Sequence, residues 1–277
     1  MYDEYYILKI NAMKKNTLLL SALLMISFSS FSQRKLVVHK INGEIVEFVA
    51  SEVSYIDFND AIEESYIPDA NGYEYVDLGL PSGTKWATMN VGADCPEDYG
   101  DYFAWAETEP KSTYNWETYK WMTSGMSISY GINKYTVADD HTHAVWYDSN
   151  GDFIGDNKNV LELSDDAANV NWGGDWRIPT IEEQDELRTE CDWTWNTKKA
   201  VNGYTVTGPN GNSIFLPAAG DIEDCVVKGA GSIGEYWSNA IRKGGSFDAC
   251  YLSFNSYYVV KSGTYRYYGC TIRPVLP

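Results

Sequence analysis

Aromatic and acidic side chains gather in one short stretch of this sequence and are its clearest candidates for ligand contact. They are Trp105, Glu107, Tyr114, Trp116, Tyr119 and Trp121. Rings with polar neighbours suit stacking on sugars or packing against a protein partner. Large rings also dominate hydrophobic cores, and the strand-like run before Trp105 makes core packing the ordinary alternative. We take the six residues as the candidate ligand-binding set.

Oxygen-bearing side chains occur at alternate positions further along the chain, with the spacing of a calcium loop. The positions are Asp148, Asn150, Asp152 and Asp156. An EF-hand loop needs Gly at its sixth position and Glu at its twelfth, whereas this sequence has Phe153 and Asn159 there. A hairpin explains the same residues, with strands at 145–147 and 153–154 around an Asp-Ser-Asn-Gly turn. We expect the hairpin, keep calcium as the alternative, and expect no other cofactor.

Cysteine chemistry is limited by number and spacing. The five cysteines are Cys95, Cys191, Cys225, Cys250 and Cys270, and an odd count leaves at least one thiol unpaired. No CxxC pair occurs, so a compact zinc site is not expected. Because Cys250 and Cys270 both lie in strand-like runs near the end of the sequence, we expect a disulfide between them. Five small buried hydrophobic residues are the alternative.

Catalytic machinery is not evident. The three histidines are His39, His141 and His143, and no GxSxG motif provides a hydrolytic nucleophile. His141 and His143 are two residues apart and suit a transition metal, although a solvated loop explains them as well. The 39 acidic residues offer carboxylate pairs, but only their separation in space can assign such a pair to a glycosidase. We name no catalytic residue and do not expect an enzyme.

The start of the sequence is typical of a secretory signal peptide. A basic stretch at Met13–Lys15 precedes the apolar run Leu18–Phe28, which is too short to span a bilayer as a helix. Small residues then form a cleavage site before Gln33. We expect residues 1–32 to be the signal peptide, with Met13 as the true start. An exported protein without a transmembrane segment follows.

Net charge narrows the class of partner. The formal charge is -18, from 21 Lys and Arg against 39 Asp and Glu. Nucleic-acid binding needs clustered Lys and Arg to neutralise phosphates, and the sequence has no such cluster. We therefore exclude nucleic acid, and expect a glycan or a surface protein as the partner.

Strand and turn signals divide the exported chain into a short and a long part. Residues 33–58 have the pattern of a short β-strand module, whose first two of three strands are joined by Asn42-Gly43, the pair favoured in type I′ turns. Residues 59–72 are polar and acidic, which suits a linker. We place the main domain at residues 73–277.

Strand signals outnumber helix signals in the main domain. Residues 204–207 and 213–216 flank a Gly-Pro-Asn-Gly turn and predict a hairpin. Residues 251–254, 257–261 and 265–275 predict further strands. The pattern indicates an α+β domain.

Two helices are predicted from their N-terminal signals. Thr180 and Glu183 have the spacing of a capping box, so a helix should run from Ile181 to about Glu190. The positions expected to be buried are Ile181, Leu187 and Cys191. Ser164 predicts the N-cap of a shorter helix that follows it.

Six segments of the main domain carry a family resemblance. In order they are Tyr75–Ala87 (YVDLGLPSGTKWA), Tyr99–Trp105 (YGDYFAW), Trp172–Thr180 (WGGDWRIPT), Asn210–Gly220 (NGNSIFLPAAG), Gly234–Ser238 (GEYWS) and Ile272–Val275 (IRPV). They resemble the Fibrobacter succinogenes major paralogous domain, over nearly the whole main domain. The strands before them resemble a motif that precedes many exported Bacteroidetes proteins, which implies a Gram-negative bacterium of that group. The family implies no particular activity.

The segment Trp176–Thr180, leading into an acidic helix, is also similar to the Arg-x-Pro-Thr helix entry of formylglycine-generating-type modules, whose fold is C-type-lectin-like. The similarity implies small twisted antiparallel sheets, two helices and long irregular loops. It does not extend to activity, because Cys250 and Cys270 are not the closely spaced cysteine pair of those enzymes. The Glu-Pro-Asn and Trp-Asn-Asp motifs of calcium-dependent lectins do not occur either.

These features predict a secreted, non-catalytic binding or adhesion module at the bacterial cell surface. Two alternatives remain open. One is a structural cell-surface protein without a small ligand, and the other is a secreted hydrolase or oxidase.

Overall fold

The chain is described by a computed structural model over residues 35–39, 45–49, 69–126, 131–138, 145–243 and 245–277. The predicted signal peptide, the Asn42-Gly43 turn, His141 and His143 lie outside these residues. The chain divides into two compact units, Met1–Ser65 and Tyr66–Pro277. Every candidate ligand, calcium and cysteine residue lies in the second unit.

The first unit contains two described strands. They are β1 (Lys35–His39) and β2 (Ile45–Val49). They pair antiparallel, from Lys35 opposite Val49 to His39 opposite Ile45. This pairing confirms the first two predicted strands, and the third predicted strand lies outside the described residues.

The second unit consists mainly of short strands with two described α-helices. In chain order these elements are β3 (Asp69–Ala70), β4 (Tyr73–Asp77), β5 (Lys85–Ala87), α1 (Ala167–Trp172), α2 (Ile181–Glu190), β6 (Asp192–Lys198), β7 (Val201–Thr207), β8 (Ser213–Pro217), β9 (Asp221–Glu223), β10 (Val226–Lys228), β11 (Ile233–Ile241), β12 (Asp248–Asn255), β13 (Tyr258–Tyr265) and β14 (Val275–Leu276). All pairs between these strands are antiparallel. The architecture agrees with the predicted α+β class.

The strands form four sheets, with orders β14-β5-β4-β3, β6-β7-β8, β11-β12-β13 and β10-β9. The predicted hairpin at residues 204–207 and 213–216 is confirmed as β7 and β8, with Thr207 opposite Ser213. The predicted strand at residues 265–275 is wrong, because only Tyr265 and Val275 belong to strands. The chain between them bends and places two arginines, Arg266 and Arg273, inside the protein.

Arg273 joins distant parts of the second unit. Its guanidinium donates to the Asn90 side-chain oxygen at 2.8 Å and to the carbonyl oxygens of Ala87, Thr88 and Phe215 at 3.1, 2.9 and 2.9 Å. Burial lowers the pKa of Arg273 to about 10. Four acceptors on one buried group hold the segment after β5 against β8.

Helix α2 begins and ends where its sequence predicts. The Thr180 hydroxyl accepts the Glu183 N–H, and the Glu183 carboxylate accepts the Thr180 N–H, which completes the capping box. Arg177 adds a two-pronged ion pair to Glu183 at 2.7 and 2.6 Å. Leu187 is buried as predicted, but Gln184 is the second buried position, in place of Ile181 and Cys191.

Helix α1 begins two residues later than predicted. Its N-cap is Asp166, whose carboxylate accepts the Asn169 N–H, while Ser164 lies in a 3-10 turn. The second oxygen of Asp166 accepts the Ile178 N–H at 2.8 Å. Asp166 can accept both N–H groups because its carboxylate has two oxygens. This tertiary hydrogen bond favours Asp166 over Ser164 as the N-cap.

The core of the second unit has three clusters of buried side chains, which include Trp237, Leu216 and Tyr114 respectively. The third cluster is rich in aromatic rings and contains Tyr114, Trp116 and Tyr119. Most of its residues belong to the long segment between β5 and α1, whose described residues form isolated bridges and the 3-10 turn Leu163–Asp165.

Candidate functional site

Five of the six predicted ligand residues are buried side chains. Trp105, Tyr114 and Tyr119 are 1, 1 and 2% exposed, and Glu107 is also buried. A ring with so little accessible surface presents no free face to a ligand. Core packing therefore describes Trp105, Tyr114 and Tyr119 in this structure. Trp116 is also buried, at 9% exposed, and Trp121 is half-buried.

Trp105 and Tyr119 enclose a cation of the same chain. The guanidinium of the fully buried Arg266 lies 4.9 Å from the centre of the Trp105 ring and 5.4 Å from that of Tyr119. It donates to the Tyr119 hydroxyl at 2.9 Å and to three backbone carbonyls. These rings stabilise a buried arginine through cation–π contacts.

Glu107 fixes the backbone of the aromatic stretch. Its carboxylate accepts the Lys120 N–H at 2.8 Å and pairs with the Lys111 ammonium at 2.9 Å. Lys111 also donates to the Thr118 carbonyl at 3.1 Å. The buried carboxylate thus has partners that satisfy it, which is a structural role.

Trp121 is a partly buried member of the predicted set. Its indole N–H donates to the Ala106 carbonyl at 2.9 Å. The ammonium groups of Lys120 and Lys134 lie 4.4 and 4.5 Å from its ring centre. Both lysines also form ion pairs with Asp165. The ring is held by neighbouring cations that are themselves paired.

A groove of about 860 Å³ opens beside Trp116. It is lined by Asn115, Trp116, Glu117, Met122, Thr123, Ser124, Gly125 and Met126. This volume lies within the range of ligand pockets in proteins. We call this feature the Trp116 groove, and it is the candidate site because one residue predicted from sequence, Trp116, contributes the small exposed part of its ring to the lining.

The first wall of the groove is a turn fixed by side chains. The Asn115 side-chain oxygen accepts the Thr118 N–H at 3.1 Å, and the Thr118 hydroxyl accepts the Asn115 N–H at 3.3 Å. The Asn115 amide also donates to Asp224 at 3.2 Å. Asn and Thr favour such local bonds to the backbone, so the turn presents Trp116 and Glu117 in a fixed geometry.

The second wall is held by pairing along the chain. Met122 bridges Ile132, and the Thr123 N–H donates to the Gly131 carbonyl at 2.7 Å. The Thr123 hydroxyl accepts the Asn133 amide at 3.2 Å. These contacts place Met122, Thr123 and Ser124 opposite the turn that bears Trp116.

The Trp116 ring is clamped by other rings. Tyr119, Tyr265 and Tyr267 lie 5.6, 5.8 and 5.0 Å from it, centre to centre. Tyr265 is 46% exposed, so the cluster continues to the surface. The Trp116 indole N–H is buried and has no hydrogen-bond partner among the described residues. The ring is therefore fixed inside the aromatic cluster, and only 9% of its surface is exposed.

The predicted calcium positions begin in a hairpin turn. Tyr147 bridges Phe153, and one Asp148 oxygen accepts the N–H groups of Asn150 and Asp152 at 2.8 and 2.9 Å. These backbone donors lower the pKa of Asp148, with the Asp152 N–H first among them. Asp148, Asn150 and Asp152 therefore have the geometry of the expected hairpin turn.

Asp156 faces a different part of the chain. Its two oxygens accept the N–H groups of Tyr135 and Thr136, both at 2.8 Å. Over the described residues, no group of three or more His, Cys, Asp and Glu side chains is close enough to hold a metal ion. Calcium at this loop stays a prediction.

The predicted disulfide does not form in this structure. All five cysteines are free, including Cys250 and Cys270. Cys250 lies on β12 opposite Gly263, whereas Cys270 is fully buried, with its sulfur 3.9 Å from a Glu235 oxygen. Strand-like sequence around both cysteines was insufficient to predict a disulfide, because the Cys270 sulfur contacts Glu235 and Cys250 lies opposite Gly263.

Glu235 is a titratable residue to which the sequence reasoning assigned no role. Burial raises its pKa to about 7, and the carboxylate of Asp221 adds to the rise. Burial likewise raises the pKa of Asp221 and of the Cys270 thiol. The sequence feature that could have indicated this residue is the single acidic side chain in the GEYWS segment. A carboxyl group in an otherwise apolar strand pattern is costly to bury.

Comparisons of the chain with protein-family models, with curated proteins and with solved structures find no match. Among the described helices, none is long and apolar enough to cross a membrane.

Proposed function

We propose that this protein is an exported, non-catalytic binding module of C-type-lectin-like architecture, which acts at the bacterial cell surface and holds a saccharide in the Trp116 groove. The architecture is supported by the small antiparallel sheets, the two helices and the long irregular segment between β5 and α1. These are the features that the resemblance to formylglycine-generating-type modules implies.

The observation that carries the proposal is the composition of the groove. Met126 and the half-buried Met122 provide apolar surface, to which the 9% exposed Trp116 adds a small part, while Asn115, Thr123 and Ser124 provide amide and hydroxyl groups. Sugars combine apolar C–H faces with hydroxyl edges, so an apolar surface with a few polar groups is complementary to them.

Calcium is not needed for this mode of binding. The Asp148 and Asp156 oxygens that would coordinate it already accept backbone N–H groups. The groove residues contact the ligand directly in this proposal. Binding should therefore survive a chelator.

The test is a glycan array probed with the full chain, with and without a calcium chelator. Ser124→Trp adds a large side chain at an exposed position of the groove, and should reduce saccharide binding at least about tenfold by occupying the site. Ser213→Trp is the matched control, because Ser213 is equally exposed on β8 and belongs to another sheet. Its binding should equal that of the unmodified protein.

Three outcomes would contradict the proposal. Equal binding by Ser124→Trp and Ser213→Trp would place the ligand elsewhere. Binding abolished by the chelator would favour the Asp148 loop. Absence of saccharide binding would favour a surface-protein ligand, if one is captured from host mucus in a Ser124-dependent manner, or otherwise the structural alternative.

A further inference from the structure

We infer that the Trp116 groove selects uncharged oligosaccharides over acidic ones, an inference that rests on the proposed function. Glu117 is the charged residue in the described lining, and no Lys or Arg is present there. It is exposed, and its carboxylate has no partner in the part of the chain that the structure describes. A free carboxylate accepts hydrogen bonds from sugar hydroxyls and repels sulfate, sialate and uronate groups.

The nearest cations of the aromatic stretch are already engaged. Lys111 pairs with Glu107, and Lys120 pairs with Asp165. Arg266 is enclosed by rings and backbone carbonyls in the core. Lys111 and Arg266 therefore have no free charge to offer an anionic ligand, and Lys120, which pairs with Asp165 at 3.4 Å, does not line the groove.

The net charge of the whole chain acts in the same direction. A formal charge of -18 creates a negative field that slows the approach of anionic ligands and leaves uncharged ones unaffected. The Glu117 carboxylate in the groove and the net charge of the chain therefore both disfavour anionic ligands. An oligosaccharide without charged groups can use the apolar surface of Met122 and Met126 and the Ser124 hydroxyl at no electrostatic cost.

The size of the site indicates more than one sugar ring. A groove of about 860 Å³ lies in the upper part of the range for small-molecule sites. It is bounded by a rigid turn on one side and by residues 122–126 on the other. An extended chain of sugars fills such a groove better than a single residue does.

The experiment compares sets of matched uncharged, acidic and amino oligosaccharides on the full chain and on Glu117→Lys. The unmodified protein should bind the uncharged set better than the acidic set. Glu117→Lys replaces a repulsive charge with an attractive one, so it should improve binding to the acidic set about fivefold. Glu109→Lys is the matched control, since Glu109 is exposed but does not line the groove, and it should not change the preference.

The outcomes separate the two claims. If acidic saccharides bind the unmodified protein as well as uncharged ones, and Ser124→Trp abolishes that binding, the selectivity is wrong while the groove remains the site. Weaker binding of amino saccharides than of acidic ones would also overturn it, because a free carboxylate attracts an ammonium group. If no saccharide binds in a Ser124-dependent manner, the proposed function itself fails.

Discussion

Arg266 shows how single residues of this protein hold a charge in its interior. Among the described residues it forms no ion pair, and its guanidinium is satisfied by the Tyr119 hydroxyl and by the carbonyls of Lys134, Tyr135 and Ser246. We expect Arg266→Met to lower the free energy of unfolding by about 3 kcal/mol or more, because these acceptors lose their donors. Urea unfolding followed by Trp fluorescence measures the change.

Arg188→Met is the control for that measurement. Arg188 pairs with Asp185 on the surface of α2, where a substitution should change stability by less than about 0.5 kcal/mol. Similar losses for the two variants would show that the buried contacts of Arg266 contribute nothing specific.

Glu235 should make stability depend on pH. Its pKa is about 7 in the folded protein against 4.5 for an ordinary Glu, so the folded state holds its proton more tightly than the unfolded state does. Its contribution to the free energy of unfolding is therefore full below about pH 4.5, falls as the pH rises to about 7, and is constant above that. The fall is at most about 1.4 kcal/mol for each step of one in pH, and solvent screening makes it smaller.

Glu235→Gln removes that titration. The difference in unfolding free energy between the variant and the unmodified protein should therefore change across this pH range, in favour of Gln at higher pH. Chemical unfolding at a series of pH values measures it, with the exposed Glu109→Gln as control. A difference that is independent of pH would contradict the buried, proton-binding state of Glu235.

At the scale of elements, α2 depends on its N-terminal cap. Thr180→Ala removes the hydroxyl that accepts the Glu183 N–H, and should lower the free energy of unfolding by about 1 kcal/mol. Thr180→Ser keeps the acceptor and should retain most of the stability. Thermal unfolding compares the two, and an equal loss in both would assign the effect to the Thr methyl group instead.

Elements with local signals were predictable from sequence, and those decided by tertiary contacts were not. The residues that form the capping box of α2 lie within a few positions of one another in the sequence. The same is true of the Gly-Pro-Asn-Gly turn between β7 and β8. The cap of α1 was decided by the distant Ile178 N–H, and the bend after β13 by the acceptors that bury Arg266. The density of aromatic residues in the sequence likewise predicted ligand binding for both Trp105 and Trp116. Of these two, the structure places Trp116 in the lining of a groove and Trp105 in the core.

At the scale of the whole molecule, calcium should have no effect on stability. A ligand that binds only the folded state raises the unfolding temperature by mass action. Because the oxygens of Asp148 and Asp156 are engaged by backbone donors, we expect the melting curves with calcium and with a chelator to coincide. A higher unfolding temperature in calcium that Asp152→Asn abolishes would establish a metal site at this loop.

The pairing of β14 with β5 has a consequence for biogenesis. Val275 lies opposite Trp86, so the four-stranded sheet joins the two ends of the second unit. While the chain is being synthesised, β5 and its apolar neighbours lack their partner strand until β14 emerges. Contacts this far apart in sequence form slowly. The nascent protein should therefore complete this sheet last, and a chain interrupted before β14 should leave an unpaired edge of β5 that is open to aggregation.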